Sequence, residues 1–285
     1  MATRQAAVLG SPIGHSLSPA LHTAAYRALG LGHWSYGAHE VQAAGLRRFV
    51  GGLGPQWAGL SLTMPLKEAA FEVADEVSEL AREVGAINTL IRRADGGWSG
   101  DNTDVYGVSQ SLREAGCTEV PSALVLGSGA TARSVVAALA SMGCASVTFA
   151  VRSAARQETL DQATRAGLEV DVVGLDAVAD LLGDTRVVIS TLPGNALPGN
   201  TLPESAMTGR LPHQGPRPLG HLLMDVVYTG WPTPLARTFH EAGASVVSGL
   251  EMLVHQAAEQ VRLMTGMAPP VDQMRAAGLA AMASR

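Results

Sequence analysis

Several clusters in this chain have residue types and spacings that suit chemistry. Ser16 and Ser18 sit two residues apart in Gly10-Ser-Pro-Ile-Gly-His15-Ser-Leu-Ser-Pro19. Ser18 before Pro19 is strong helix punctuation, with Ser as N-cap and Pro in the first helical position. That reading alone explains Ser18. Two hydroxyls beside a helix N-terminus, however, also make a place for a carboxylate. His15, a single histidine in a loop, reads as structural. Lys67 closes Thr63-Met-Pro-Leu-Lys67, where Pro65 is expected to open a helix. A cation in a first turn opposes the helix dipole at a cost of roughly a few tenths of a kcal/mol. Helix design alone avoids it, while proton transfer can use it. Asp104 ends Asp101-Asn-Thr-Asp104, where an acid in a first turn is favourable without any chemistry. Asn88, in Gly85-Ala-Ile-Asn-Thr89, adds an amide at a strand start.

A second cluster suits a nucleotide. Ala123-Leu-Val-Leu-Gly127-Ser-Gly129-Ala-Thr-Ala132-Arg133 reads as a strand, a glycine turn and a helix start. Gly127 permits the tight turn. Gly129 lets backbone approach a pyrophosphate, with Ala130 beginning the helix and Ala132 in the third small position. The next strand ends at Val151-Arg152-Ser153, with Arg156 three residues on. A carboxylate there would bond a ribose 2′-hydroxyl. Two guanidinium groups and a hydroxyl instead suit a 2′-phosphate, which selects NADP over NAD.

The elements that must position these residues follow from periodicity. In the first third, strands are expected over Ala6–Leu9, Trp34–Val41, Gly59–Thr63 and Asn88–Arg92. Helices are expected over Ser18–Leu29 and Ala43–Leu53, and in pieces from Pro65 to Val84. This order gives an α/β domain with a mixed or parallel sheet. After a helix over Thr103–Ala115, strands at Ala123–Leu126, Ser146–Val151, Val170–Val173, Arg186–Thr191 and Leu222–Val227 alternate with helices. Those helices are Ala130–Met142, Ala154–Ala166 and Asp176–Leu182. That is the pattern of a Rossmann-type, doubly wound parallel sheet. Between Leu192 and Gly220 lie six of the fifteen prolines without periodicity, so a long mobile loop is expected. The last expected helix, Leu250–Met264, carries its apolar residues on one stripe. Glu251, His255, Glu259 and Arg262 face away from that stripe.

Composition narrows the class. The chain has 285 residues, enough for two domains, and its 47% apolar content supports large cores. A net charge of −5 offers nothing to nucleic acid or to an anionic membrane surface. Two cysteines without CxxC spacing argue against a disulfide framework or zinc and fit a reducing cytoplasm. No apolar run reaches the ~18 residues of a membrane span. The run Ala6–Leu9 is too short for a signal peptide and reads as a strand.

Taken together and in order, these motifs resemble the shikimate dehydrogenase family along nearly the whole chain. Joining them are Asp225-Val-Val-Tyr228, Trp231-Pro-Thr-Pro234-Leu235 and Gly249-Leu-Glu-Met-Leu-Val-His-Gln256. The resemblance implies an N-terminal α/β substrate domain of residues 1–105 plus 250–285 and a nucleotide domain of residues 106–249. The last helix would return to the first domain. Lys67 and Asp104 would be the catalytic pair. Ser16 and Ser18 would hold the substrate carboxylate. Thr63, Asn88 and Gln256 would bond ring hydroxyls or the carboxylate, and Tyr228 would lie near the substrate. Gly127, Gly129, Ala130, Arg152, Ser153 and Arg156 would hold NADP, with Gly249 near the nicotinamide. The implied activity is reversible reduction of 3-dehydroshikimate to shikimate with NADPH. The implied protein is cytoplasmic, a monomer or homodimer, acting on a small molecule without a metal.

The chain departs from the family's usual pattern at Ser61-Leu62-Thr63, at Val151, at Ser190-Thr191-Leu192 and at Thr23 after His22. The rival readings are an NAD-dependent quinate/shikimate dehydrogenase, a folate-type two-domain dehydrogenase and a non-catalytic binding protein on the same fold. Arg152 and Ser18 oppose the first, the Ser16/Ser18 pair the second, and the presence of Lys67 and Asp104 the third.

Overall fold

The structure is a computed structural model that describes residues 2–182, 185–193 and 222–284. The chain forms two compact units, residues 1–107 with 253–285, and residues 108–252. Most of the proline-rich stretch expected to be a mobile loop lies outside the described residues.

The first unit opens with β1 (Arg4–Gly10), α1 (Ser18–Ala28), β2 (Trp34–Glu40), a 3-10 turn, α2 (Leu46–Gly51) and β3 (Trp57–Leu62). It continues with α3 (Leu66–Ala69), β4 (Glu76–Val77), α4 (Glu79–Val84), β5 (Thr89–Arg92), β6 (Trp98–Asp101) and the start of α5 (Asp104–Glu114). The sheet is mixed, in the order β2-β1-β3-β5-β6-β4. β1 runs parallel to β2 and β3, while β5 is antiparallel to both β3 and β6. The carboxyl ends of β1, β3 and β6 therefore share one edge with the amino end of β5. Two backbone bonds fasten that edge: Leu62 N–H donates to Asn88 O at 2.7 Å, and Thr63 N–H to Leu9 O at 3.0 Å. Beneath it, Leu9, Leu60, Leu62, Leu66, Ile87, Leu90 and Trp98 bury one apolar face. Each such leucine stabilises the unit by about 1.5–3 kcal/mol.

The second unit holds β7 (Ser122–Leu126), α6 (Ala130–Ser141), β8 (Ser146–Val151), α7 (Gln157–Arg165), β9 (Glu169–Gly174) and α8 (Val178–Leu181). β10 (Val187–Ser190), β11 (Leu222–Asp225), α9 (Pro234–Glu241) and β12 (Ser245–Ser248) follow. Every pairing is parallel, in the order β12-β11-β10-β7-β8-β9. Counted within the unit, that is the Rossmann order 3-2-1-4-5-6 read from its other edge. The doubly wound expectation holds. The chain closes with α10 (Gly249–Thr265) and α11 (Val271–Ala283). No helix among the described residues is long and apolar enough to cross a membrane.

Several expectations need correction. Ser18 is not the N-cap of α1; Leu17 is. Ser16 Oγ accepts from Ser18 N–H at 3.2 Å, which satisfies an orphan donor early and lets the helix start at Ser18. Pro65 caps α3 instead of opening it, and α3 is a single turn, too short for a developed dipole. The helical run expected up to Val84 is interrupted by β4, which pairs with β6. His255 is 4% exposed, because α10 is covered beyond its apolar stripe.

Candidate active site

The shared sheet edge gathers side chains from four places. Lys67 comes from α3, Asn88 from the residue before β5, Asp104 from the first turn of α5, and Gln256 from α10. Lys67 Nζ donates to Asp104 Oδ2 at 2.5 Å, and the two side chains are 17% and 7% exposed. Asn88 Nδ2 donates to Asp104 Oδ1 at 2.8 Å and to Gln256 Oε1 at 3.4 Å. Both carboxylate oxygens of Asp104 thus accept from protein donors. Asn102 builds the turn that presents Asp104. Its Oδ1 accepts from Asp104 N–H at 3.1 Å, and its Nδ2 donates to Ala86 O at 2.8 Å. Backbone holds Lys67 in place, since Ile87 N–H donates to Lys67 O at 2.8 Å. The result is a buried ammonium–carboxylate pair that can exchange a proton with a bound hydroxyl or carbonyl oxygen.

Ser16 and Ser18 lie past the end of β1 at the same sheet edge; Ser16 is half-buried and Ser18 buried. Thr63, half-buried, follows β3. Tyr228 is half-buried just beyond β11, in the second unit.

The sequence reading missed the residues behind the pair. Gln260, fully buried on α10, donates from Nε2 to Thr89 Oγ1 at 2.9 Å. Its Oε1 accepts from Ser61 Oγ at 2.7 Å and meets His22 Nε2 at 3.2 Å. His22 stacks on Tyr36 with centroids 3.9 Å apart. Burial drives the His22 pKa down to about 3, against a smaller raising effect of its bond to Gln260, so the ring is neutral at pH 7. Burial likewise pushes the Tyr36 phenol upward. The one local signal for Gln260 was a polar residue one turn beyond Gln256.

In the second unit, Gly127 ends β7 with φ +95°, a left-handed conformation that favours glycine. A Cβ there would also lie 2.8 Å from Thr191 Oγ1. α6 begins at Ala130 with no side-chain cap, no acid in its first turn, and open space where a Cβ on Gly129 would stand. Its N-terminal amides therefore suit an anion. Arg152, Ser153 and Arg156 are exposed just past β8. The start of α7 is tied to the glycine turn: Arg156 N–H donates to Ser128 Oγ at 3.0 Å, and Thr159 Oγ1 to Ser128 O at 2.8 Å. A phosphate carried on an adenosine ribose fits this donor set. Gly249, at the head of α10, must be glycine on packing grounds alone, since a Cβ would stand 2.0 Å from Val226 O.

Comparison with known proteins bears on both sites. Residues 8–90 match the family model of the shikimate dehydrogenase substrate binding domain, and residues 249–277 that of the shikimate 5'-dehydrogenase C-terminal domain. A protein of Methanothermobacter thermautotrophicus named shikimate dehydrogenase (NADP(+)) is 34% identical, over 95% of this chain and 94% of its own. The chain belongs to the shikimate dehydrogenase family. Among solved structures, the Mycobacterium tuberculosis shikimate dehydrogenase superposes with a TM-score of 0.83 at 42% identity, covering 97% of this chain and 99% of its own. The Thermus thermophilus shikimate 5-dehydrogenase, solved in complex with NADP(H) and shikimate, gives 0.82 at 33% identity, covering 98% of this chain and all of its own (100%).

Within the shikimate dehydrogenase family pattern, the departures of this chain take structural work. Ser61 accepts from Tyr36 Oη at 2.6 Å and hands its own proton to Gln260. Val151 is buried at the end of β8. Thr191 Oγ1 donates to Leu126 O at 2.8 Å, closing the gap beside Gly127. Ser190 bonds Asp225, whose carboxyl is raised by burial, although bonds from Thr233, Val227 and Ser190 act in the other direction.

Proposed function

We propose that this chain is an NADP-dependent shikimate dehydrogenase, reversibly reducing 3-dehydroshikimate to shikimate. The observation that carries the reading is the Lys67–Asp104 pair, 2.5 Å apart and held among the amides of Asn88 and Gln256, in a chain of this family. The family relatives carry NADP(+) in their names, and a structural neighbour was solved with NADP(H) and shikimate.

In this reading the first unit binds substrate and the second binds cofactor. Ser16 and Ser18 hold the substrate carboxylate. Thr63, Asn88, Tyr228 and Gln256 orient the ring. Gly127, Gly129 and Ala130 receive the cofactor pyrophosphate on backbone amides. Arg152, Ser153 and Arg156 bind the 2′-phosphate, and Gly249 leaves room near the nicotinamide. NADPH supplies the hydride chemistry. Lys67 Nζ gives a proton to the carbonyl oxygen during reduction and takes it back during oxidation. Asp104 holds that ammonium in register and accepts from a neighbouring ring hydroxyl. The enzyme acts in the cytoplasm as a monomer or homodimer, within the route to aromatic amino acids.

The test is a steady-state assay of the purified protein, with shikimate and quinate crossed against NADP and NAD. Turnover concentrated in the shikimate–NADP arm is the expected result. Preference for quinate with NAD would overturn the assignment.

A further inference from the structure

Behind the Lys67–Asp104 pair, polar side chains form one hydrogen-bonded chain whose direction is determined at every link. Asn88 Oδ1 accepts from the backbone N–H of Thr103 at 2.8 Å, a group that can only donate. The atom that Asn88 turns toward Asp104 Oδ1, at 2.8 Å, is therefore Nδ2. Thr89 Oγ1 stands 2.8 Å from the same Asn88 Oδ1 and commits its single proton there. Its lone pairs are left to accept from Gln260 Nε2 at 2.9 Å. With its amide so turned, Gln260 presents Oε1 to Ser61 Oγ at 2.7 Å and to His22 Nε2 at 3.2 Å, and both must donate. Ser61, its proton used, accepts from Tyr36 Oη at 2.6 Å.

Gln260, Thr89 and His22 are 0% exposed, Asn88 1% and Ser61 4%. Water cannot replace a missing partner at such burial, and a reversed link would set donor against donor. Gln260 is the branch point. It joins the Tyr36 end to the Asn88 end, and its bonds reach partners 171, 199 and 238 positions away in the chain.

We propose that Gln260 is a positioning residue. By committing the Thr89 hydroxyl to Asn88, it adds a second anchor, beside Thr103 N–H, to the Asn88 amide that faces Asp104, and so steadies the carboxylate that pairs with Lys67. Gln260 touches no reacting atom and acts through Thr89 and Asn88. The kinetic part of this inference rests on the proposed function; the hydrogen-bond direction does not.

The test compares wild type with Thr89→Val, Gln260→Met and the double variant. Thr89→Val removes one hydroxyl at nearly constant shape and leaves the other bonds of Gln260 in place. Three quantities are read: kcat and KM for shikimate per NADP-binding site, NADP affinity, and the Asn88 side-chain amide resonances of the free protein by nitrogen-15 NMR. Each single variant is expected to lower kcat/KM for shikimate about tenfold, with NADP affinity held within about twofold. The double variant should be no worse than the worse single one, because both act through the same chain. The Asn88 resonances should shift in Thr89→Val. Unshifted resonances, or additive kinetic losses, would overturn the proposal. Should Gln260→Met fail to fold, Thr89→Val decides the matter through kcat/KM and the Asn88 resonances. A wild-type protein that does not oxidise shikimate would remove the proposed function, and the resonances would still decide the role of Gln260.

Discussion

Replacing Asp104 by Asn tests the catalytic pair most sharply. Asp104 accepts from two donors that cannot reverse: Lys67 Nζ at 2.5 Å and Asn88 Nδ2 at 2.8 Å. A carboxylate serves both, while a carboxamide has one acceptor oxygen and one NH2 group. In one orientation the new NH2 faces the Lys67 ammonium, and in the other it faces the Asn88 amide. Asn88 cannot turn away, because Thr103 N–H holds its Oδ1 at 2.8 Å. The substitution therefore removes the ion pair and creates a donor–donor contact where the side chains are only 7% and 17% exposed. An unsatisfied buried donor costs about 1–3 kcal/mol, and a broken buried pair about 3–5 kcal/mol; the first is contained in the second, so a loss of roughly 3–5 kcal/mol is expected. Loss of the positioned pair should also lower kcat by about a hundredfold to ten-thousandfold. Adding Lys67→Met removes the ammonium and frees the carboxamide to satisfy Asn88. That double variant should regain roughly 1–2 kcal/mol without regaining activity. Urea unfolding followed by tryptophan fluorescence reads the stability, and nicotinamide absorbance at saturating substrate reads kcat. An Asp104→Asn protein with unchanged unfolding and a kcat within about threefold of wild type would refute the mechanism. A double variant whose losses simply add would refute the donor–donor argument.

Three further outcomes are expected. Ser16→Ala should raise the shikimate KM about ten- to a hundredfold with NADP affinity nearly constant. It should also cost about 1 kcal/mol of stability, because Ser16 Oγ accepts from Ser18 N–H at 3.2 Å; an unchanged KM would leave Ser16 with that local role alone. Arg152→Asp should weaken NADP binding far more than NAD binding in a titration of each cofactor, and equal losses would remove Arg152 from the 2′-phosphate. His22 has a folded pKa of about 3 against an ordinary 6.5, so its contribution is full above pH 6.5 and is lost as pH falls toward 3. His22→Phe keeps the stack on Tyr36 but removes this titration. Between pH 6.5 and pH 5, wild type should lose about 2 kcal/mol more than the variant in urea unfolding, and parallel profiles would contradict the buried neutral imidazole.

Much of this protein is legible along the chain because its causes are local. Gly127 marks its turn because φ +95° there is disfavoured for any residue with a Cβ. The strands and helices of the second unit announce themselves through apolar runs of different length, from which the parallel doubly wound sheet follows. Arg152 after β8 is local too, since the residue just past that strand, the proposed partner of a 2′-phosphate, can be read directly from the chain. The failures are also physical. β4, β6 and β12 have two to four residues, too few to show a period, and they exist because neighbouring strands offer partners. α9 carried its own signal, Thr233 before Pro234, yet with only eight residues its pattern is weak without β11 and β12 beside it. Pro65 pointed to a longer helix than the single turn that forms.

The site divides along the same line. Residue type and order determine which groups are available: two serines past the first strand, a lysine after a proline turn, an aspartate at a helix start. Only the tertiary structure decides who meets whom. Lys67 and Asp104 are 37 positions apart, and they meet because β5 and β6 run antiparallel and return the chain to the end of β3. Gln260 gave only a faint signal in the sequence, its place one turn beyond Gln256, because a glutamine on an amphipathic helix belongs by default to the solvated face. Its meaning comes from His22, Ser61 and Thr89 closing around it at zero exposure, where each unpaired polar atom would cost free energy and every proton must have a direction.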